Sequence, residues 1–318
     1  MTPYSLDVVI PCYNEEDALP VTLPRILSYL DGLQSDPRFA LRHWRVILVD
    51  DGSADRTWTI IAAHAEPARV VGLKLSRNFG HQNAMLAGLS HADADAVITM
   101  DCDLQDDINA IEAMLLAYQG GFDLALGVRS SRTSDTIFKK GTARAYYRLL
   151  TLFGVNVIED HADYRLMSQR ALRVLLAHNE VNLFLRGIIP TIGFKTSIIP
   201  YERQAREFGN SKYTLGKMLA LAIDGITSFS VLPLRMIAAF GVVVFLASSV
   251  TGLWVLLERL VFSATVVSGW ASVMLPLLAL GGLQILSIGV LGEYIGKIYL
   301  ETKRRPRFIV ETVTDSPR

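Results

Sequence analysis

Short apolar runs alternate with amphipathic stretches over the N-terminal part of the chain. Runs rich in β-branched residues predict strands at 6–13, 44–53, 69–78, 94–103 and 122–130. Helical spacing between them predicts helices at 15–30, 56–65, 82–90 and 108–118. This alternation is typical of an α/β fold with a mostly parallel sheet and helices on both faces.

The C-terminal part has a different hydrophobic pattern. Residues 236–257 and 271–291 carry no charge, and each is long enough as a helix, at about 30 Å, to span a bilayer. Residues 214–233 have apolar side chains at helical spacing, which predicts an amphipathic helix on a membrane surface. Basic residues flank both expected spans on one side, so we expect both termini in the cytoplasm. The alternative is a pair of buried helices in a soluble core.

Composition narrows the class of protein. Hydrophobic residues make up 51% of the chain, which favours a membrane-associated protein. Lys plus Arg equals Asp plus Glu at 31 each, so the basic excess typical of nucleic-acid binding is absent. Cys12 and Cys102 form no CxxC pair or disulfide framework, which fits a reducing compartment. The N-terminus lacks a basic leader and does not resemble a signal peptide.

Carboxylates follow the expected strands where each strand ends. Asp101 and Asp103 end the fourth run, and in an extended segment they would face the same way. Oxygen ligands of this kind favour Mg²⁺ or Mn²⁺, whose remaining positions can take substrate phosphates. Further polar or ring-bearing residues end the first and second runs and should reach the same edge of the sheet: Pro11, Tyr13, Glu15, Asp50 and Asp51.

Several longer motifs accompany these strand ends. In chain order they are "LSRNFGHQNAMLAGL", "MDCDLQD", "GVRSSR", "DHADYRLMSQRAL", "FLRGI" and "YERQAREFGNSKYTLGKMLALAIDGITSFS". Together the motifs resemble glycosyltransferase family 2, in its polyprenyl-phosphate glycosyltransferase branch, which includes bactoprenol glucosyltransferases and, more distantly, dolichol-phosphate mannose synthase. The branch commonly has a proline pair after "DLQD", where this chain has Asp107 and Ile108. The difference suggests another helix start and extra negative charge near a metal.

The resemblance implies a role for individual residues. Donor binding would involve Pro11, Tyr13, Glu15, Asp50, Asp51, Asp101 and Gln105, and a metal would be held by Asp101, Asp103 and Gln105. Residues expected around the acceptor and diphosphate are Arg129, Arg132, Arg206, Ser211 and Lys212. Residues implied in catalysis are Asp103, Asp160 and Arg206. Asp160 has two interpretations: a general base, or a positioning residue that orients Arg165 or the acceptor. His81 and His161 are interpreted as polar loop residues.

The resemblance also implies a domain plan and a reaction. A cytoplasmic GT-A-type nucleotide-binding domain would occupy 1–213, followed by an interfacial helix at 214–233, two transmembrane helices within 234–299 and a basic cytoplasmic tail at 300–318. The expected enzyme is an inverting, metal-dependent transferase in the inner membrane that moves one sugar, with UDP-glucose the first guess, to polyprenyl phosphate. Relatives suggest a homo-tetramer. The alternatives are a processive polysaccharide synthase, whose usual QxxRW motif is not visible, and a non-catalytic membrane scaffold.

Overall fold

A computed structural model describes residues 2–130, 161–178, 185–202, 227, 230–262 and 270–314. These residues divide into two units. One unit contains the sheet with its flanking helices and the C-terminal strand, and the other contains the two long helices of the C-terminal part.

A single sheet organises the first unit. In the described ranges it has eight strands in the order β7-β5-β6-β4-β1-β2-β3-β8. Their bounds are β1 Tyr4–Cys12, β2 Leu41–Asp50, β3 Val70–Leu75, β4 Ala96–Thr99, β5 Leu124–Arg129, β6 His161–Ser168, β7 Thr196–Tyr201 and β8 Val310–Val313. The pairs β1–β2, β1–β4, β2–β3 and β5–β7 are parallel, whereas β6 and β8 pair antiparallel with their neighbours. The expected α/β fold with a mostly parallel sheet is therefore confirmed.

Helices cover both faces of this sheet. They are α1 Leu19–Ser35, α2 Thr57–Ala63, α3 His81–His91, α4 Ala110–Gln119, α5 Gln169–Ala177 and α6 Leu185–Thr191. On one face, α1 and α4 bury their apolar side chains in a core with Leu6 and Ile10 of β1. On the other face, α3 packs closely enough that a Cβ on Gly88 would meet Val9 and Val49. Because β1 is covered on both faces, its sequence is almost continuously apolar.

Strands β6, β7 and β8 were not predicted from hydrophobicity. β6 contains buried polar residues, so it does not match the pattern of an apolar strand. β8 lies in the segment expected to be a basic tail, yet it pairs with β3, and Thr314 accepts a hydrogen bond from the Gly72 amide. The residues after the last long helix thus complete the edge of the sheet.

Two long helices, α7 Leu232–Phe262 and α8 Trp270–Lys303, form most of the described part of the second unit. Both expected spans, 236–257 and 271–291, lie within them. By length and composition, one stretch of the described residues, Leu280–Lys303, is apolar and long enough to cross a membrane, and Leu232–Val244 is a shorter apolar helix. The Tyr294 hydroxyl donates to the Ser230 carbonyl at 2.6 Å. The expected amphipathic helix at 214–233 falls almost entirely outside the described residues.

Candidate active site at the carboxyl edge of the sheet

The order and direction of the strands bring the predicted residues to one edge. β4, β1 and β2 are parallel neighbours, so their carboxyl ends place Asp101, Glu15 and Asp51 along the same edge. β5 runs in the same direction and ends at Arg129, while the antiparallel β6 begins here with His161. Residues from five strands thus meet where ligands bind in open α/β sheets.

The expected metal site lies on a turn, not on the extended segment that the sequence suggested. β4 ends at Thr99, and the chain turns through 102–103. Leu104 has φ of 50°, a left-handed conformation that a non-glycine residue rarely adopts. The Gln105 amide donates to Asp103 Oδ1 at 3.2 Å, and the Gln105 side chain is buried. Asp101 and Asp103 are both partly exposed, so they can reach a ligand.

The two carboxylates after this turn have structural contacts. Asp106 is buried and accepts a hydrogen bond from the Tyr201 hydroxyl at 2.5 Å. Asp107 accepts from the Asn109 amide at 3.0 Å, one residue before α4 begins. The side chain of Asp107 therefore supports the start of α4, and the expected extra negative charge near a metal stays a prediction.

Arg129 belongs to the same network. Its Nε donates to the Tyr201 hydroxyl at 3.3 Å, and its Nη2 lies 3.7 Å from Asp106 Oδ1. Desolvation lowers the pKa of the guanidinium, but the nearby Tyr201 and Asp106 outweigh this, so the pKa is raised and the charge is retained. Arg129 is thus a fixed cation next to the turn that carries Asp101 and Asp103, called the acidic turn below. Such a cation is suited to contacting a phosphate.

The carboxylates at the end of β2 are deeply buried. Asp51 accepts hydrogen bonds from the Phe79 amide at 2.7 Å and the Gly80 amide at 3.0 Å, so it holds the loop that leads into α3. Asp50 Oδ2 has no hydrogen-bond partner among the described residues, although Oδ1 accepts from the Ser53 amide. Burial raises the pKa of both carboxyls. A buried acceptor without a partner suits a donor group from a ligand.

Gly52 allows the β2 turn to pack directly on the loop before α3. Its φ is +66°, and a Cβ here would lie 2.4 Å from the Arg77 carbonyl carbon. We expect Gly52→Ala to lower the free energy of unfolding by about 3 kcal/mol, from backbone strain and overpacking. Thermal unfolding measures the change. Gly32→Ala is the control because Gly32 lies in α1 with nothing within 4 Å of the added carbon; an equal loss there would contradict the steric explanation.

A cluster of charged residues lies beside the acidic turn. Asp163 Oδ1 accepts from Arg165 Nη2 at 2.5 Å, and Asp163 Oδ2 accepts from Arg186 Nη2 at 2.8 Å. His81 Nε2 lies 3.6 Å from Asp101 Oδ1 and 3.7 Å from Asp163 Oδ2. Burial raises the pKa of Asp163, but His81 and the two guanidinium groups outweigh it and hold that pKa well below its usual range. The Asp163 carboxylate therefore stays ionised.

The interpretation of two histidines as polar loop residues was wrong. His81 is the first residue of α3, and Asp101 and Asp163 raise its pKa against the opposing effect of desolvation. His161 is the first residue of β6 and is buried, with no hydrogen-bond partner for either ring nitrogen in the described part of the chain. Burial and the nearby guanidinium groups lower its pKa to about 3, so the imidazole is neutral.

The acidic turn provides the type of donor set that a hard divalent cation prefers. Its ligands would all be oxygens, from Asp101 and Asp103 with Gln105 beside them. Within the described ranges, no group of three or more His, Cys, Asp or Glu side chains is arranged to hold a metal ion. Two carboxylates without a complete protein cage fit a cation that is bound together with the phosphates of a ligand. Burial raises the pKa of Asp101, and a cation would counteract this because it favours the ionised form.

The other predicted site residues have different surroundings. Tyr13 is 48% exposed beyond β1, whereas Pro11 is buried within that strand beside Val49 of β2. The Glu15 amide donates to Thr57 Oγ1, which fixes the loop that follows β1. The remaining predictions lie outside the described residues: Arg132, Asp160, Arg206, Ser211 and Lys212. The described partner of Arg165 is Asp163, which the sequence did not single out.

Comparison with known proteins identifies the family. The model of "Glycosyl transferase family 2" matches residues 7–176, which contain the acidic turn and most of the sheet. The chain belongs to glycosyl transferase family 2. It is a glycosyltransferase, and the resemblance to the polyprenyl-phosphate branch is confirmed by relatives that match almost the whole chain.

Three relatives illustrate this similarity. An uncharacterized glycosyltransferase, YkoT, of Bacillus subtilis is 45% identical over 309 residues, covering 96% of this chain and 91% of the relative. The prophage bactoprenol glucosyl transferase homolog of Escherichia coli is 39% identical, covering 97% and 99%. The bactoprenol glucosyl transferase of Shigella phage SfV is 39% identical, covering 96% and 98%. Among solved structures, S. aureus TarS 1-349 in complex with UDP-GlcNAc is 15% identical with a TM-score of 0.45, covering 71% and 67%.

Proposed function

We propose that this glycosyltransferase moves one sugar from a nucleotide sugar, with UDP-glucose the first candidate, to a polyprenyl phosphate at the cytoplasmic face of the membrane. The observation that carries the proposal is the 39% identity to bactoprenol glucosyl transferases, which extends over 310 residues and includes both the sheet and the long helices. Family membership excludes the non-catalytic scaffold. The carboxyl edge of the sheet supports the reaction because it combines the acidic turn with fixed cations such as Arg129.

The reaction is a direct displacement. An oxygen of the lipid phosphate bonds to the anomeric carbon, the bond from that carbon to the donor diphosphate breaks, and the nucleoside diphosphate leaves with the electron pair. A phosphate monoester has its second pKa near 6. The attacking oxygen is therefore largely ionised at neutral pH and needs little help from a base. Asp160 is accordingly a candidate for positioning the acceptor as well as for general-base catalysis.

The leaving diphosphate requires charge compensation. Bound by Asp101 and Asp103, Mg²⁺ or Mn²⁺ would supply positive charge beside the departing phosphates. Arg129 would add a hydrogen-bonding cation from the end of β5, and Arg132, Arg206, Ser211 and Lys212 are proposed to contact phosphate groups as well. Tyr13, Glu15, Asp50 and Asp51, with Pro11 behind them, would hold the nucleoside at the ends of β1 and β2.

The long helices would hold the enzyme at the bilayer. We propose that α7 and α8 cross it as a hairpin, with the interfacial helix at 214–233 lying on the surface. Chain connectivity supports an even number of crossings, because only 304–309 separate α8 from β8, which pairs with β3 in the catalytic sheet. Both termini would then be cytoplasmic. A homo-tetramer stays a prediction.

A direct assay of the lipid product tests the proposal. The purified protein is incubated with undecaprenyl phosphate and, separately, UDP-glucose, UDP-galactose, UDP-N-acetylglucosamine or GDP-mannose. We expect one hexose on the lipid with UDP-glucose and loss of transfer in EDTA, restored by Mg²⁺ or Mn²⁺; mass spectrometry identifies the product. Lipid carrying several sugars would support a processive synthase instead, and transfer unaffected by EDTA would contradict the metal site.

A further inference from the structure

His81 lies between two carboxylates that come from different strands. Its Nε2 is 3.6 Å from Asp101 Oδ1, after β4, and 3.7 Å from Asp163 Oδ2, in β6. Both distances are slightly beyond hydrogen-bond range, so a small rotation of a side chain brings either oxygen into contact. An imidazole with hydrogen on Nε2 donates to a carboxylate whether the ring is neutral or charged. The single hydrogen on Nε2 can therefore be donated to Asp101 or to Asp163, or be shared between them.

Asp163 is the fixed member of this pair. It is 7% exposed, and its carboxylate accepts hydrogen bonds from Arg165 and Arg186. Arg165 itself is completely buried. A carboxylate held by two guanidinium groups has little freedom to rotate, because any rotation would lengthen charge-assisted hydrogen bonds.

The backbone before His81 is also fixed. Asp51 accepts hydrogen bonds from the Phe79 and Gly80 amides, which belong to the two residues that precede the histidine. Gly80 has φ of +91°, so the chain turns sharply just before α3 begins. The backbone that leads into His81 is thus held by the end of β2, and the ring lies beside Asp163 of β6.

Asp101 is the less constrained carboxylate. Its side chain is 34% exposed, compared with 8% for Asp163, and it follows the end of β4 without belonging to the strand. In a metal site, groups behind the ligands orient them, and the loss of one typically costs about 10–100-fold in metal affinity or activity. His81 lies close enough to Asp101 Oδ1 to take such a role.

We propose that His81 is a positioning residue for the divalent-cation site, where it donates to Asp101 Oδ1 and directs the carboxylate toward the cation. The inference rests on the proposed function, because Asp101 serves as a metal ligand there. Asp163, which lies beside the same nitrogen, attracts the imidazole through its negative charge and does not itself contact the cation. The motif "RNFGH" would then be required for the placement of His81 as well as for the turn that begins α3.

The test measures cation binding separately from sugar transfer. Mn²⁺ affinity of the full-length protein is determined by electron paramagnetic resonance in the presence of UDP. We expect His81→Leu to weaken Mn²⁺ binding about 10–100-fold. His81→Gln should restore affinity to within a few-fold of wild type, because the Gln side chain can place an N–H donor close to the position of Nε2. A space-filling role alone would not distinguish Leu from Gln in this way.

His91→Leu is the matched control, since it makes the same substitution at the other end of α3, and its Mn²⁺ affinity should equal that of wild type. The inference is overturned if His81→Leu binds Mn²⁺ as wild type does, if His81→Gln is as weak as His81→Leu, or if wild type binds no Mn²⁺. Thermal unfolding of each variant checks that it is folded. If the Leu variant is unfolded, His81→Ala, which also lacks an N–H donor, takes its place with the same expected loss of Mn²⁺ affinity. Failure of the proposed function is a different result: wild type binds Mn²⁺ but transfers no sugar to the lipid phosphate.

Discussion

Asp103→Asn is expected to lower the rate of sugar transfer at saturating donor on the order of a thousandfold. The substitution removes a negative charge from the proposed cation site, and a metal contributes several kcal/mol of charge stabilisation to such a transition state. The turn itself should survive, because an Asn oxygen can still accept the hydrogen bond that the Gln105 amide donates to Asp103. The rate is measured with radiolabelled donor and extracted lipid.

Asp107→Asn is the matched control for this prediction. Asp107 lies four residues later and accepts a hydrogen bond from the Asn109 amide, so the same substitution should leave the rate within a few-fold of wild type. Asp160→Asn completes the series: a large loss would support its role as general base, and a small loss would support positioning. A rate for Asp103→Asn within tenfold of wild type would contradict the proposed metal site.

Asp163→Ala is expected to destabilise the protein strongly. The change removes the carboxylate that contacts Arg165, which is completely buried and whose Nε and Nη1 have no hydrogen-bond partner among the described residues. Leaving one member of a buried ion pair without the other typically costs about 3–5 kcal/mol. Thermal unfolding of the purified protein in detergent should therefore show a clearly lower midpoint.

A double variant separates this electrostatic cost from a general loss of packing. Replacing both members of a buried ion pair by apolar groups is often neutral. We expect Asp163→Ala combined with Arg165→Met to recover most of the lost stability, although Arg186 still loses one of its contacts. A double variant as unstable as Asp163→Ala alone would show that the unpaired charge is not the cause.

Strands β1 to β5 could be predicted because their sequences are apolar and their positions in the sheet are buried. β1 to β5 are apolar runs that end in polar residues, and all five lie close to the predicted segments. The same pattern located Asp101 and Asp51 at one edge, since parallel neighbours end on the same side of a sheet. Among the predicted helices, α1 differs most from its predicted bounds of 15–30. It begins at Leu19 because the loop after β1 is held by contacts with 53–57.

Strand β6 and the proposed role of His81 could not be predicted, because they depend on contacts that the local sequence pattern does not show. β6 places His161, Asp163 and Arg165 on one buried face. Asp163 and Arg165 pair with each other within the strand, and Arg186 and His81 contact Asp163 from other elements. Charged residues of this kind do not give the pattern of an apolar strand. The position of His81 also follows from distant contacts, through Asp51 and the start of β6. A signal for this histidine existed in the sequence, because it directly follows the "RNFG" turn, but its carboxylate neighbours come from other strands.

The pairing of β8 with β3 imposes an order on synthesis. β3 ends at Leu75, whereas its antiparallel partner begins at Val310, so α7 and α8 are synthesised between the two strands. During translation the outer edge of β3 therefore stays unpaired until α7 and α8 have been synthesised and β8 follows them. Open strand edges promote association between chains. We infer that the nascent polypeptide is most prone to aggregation in this interval, and that premature termination just before β8 would yield a protein with an unprotected sheet.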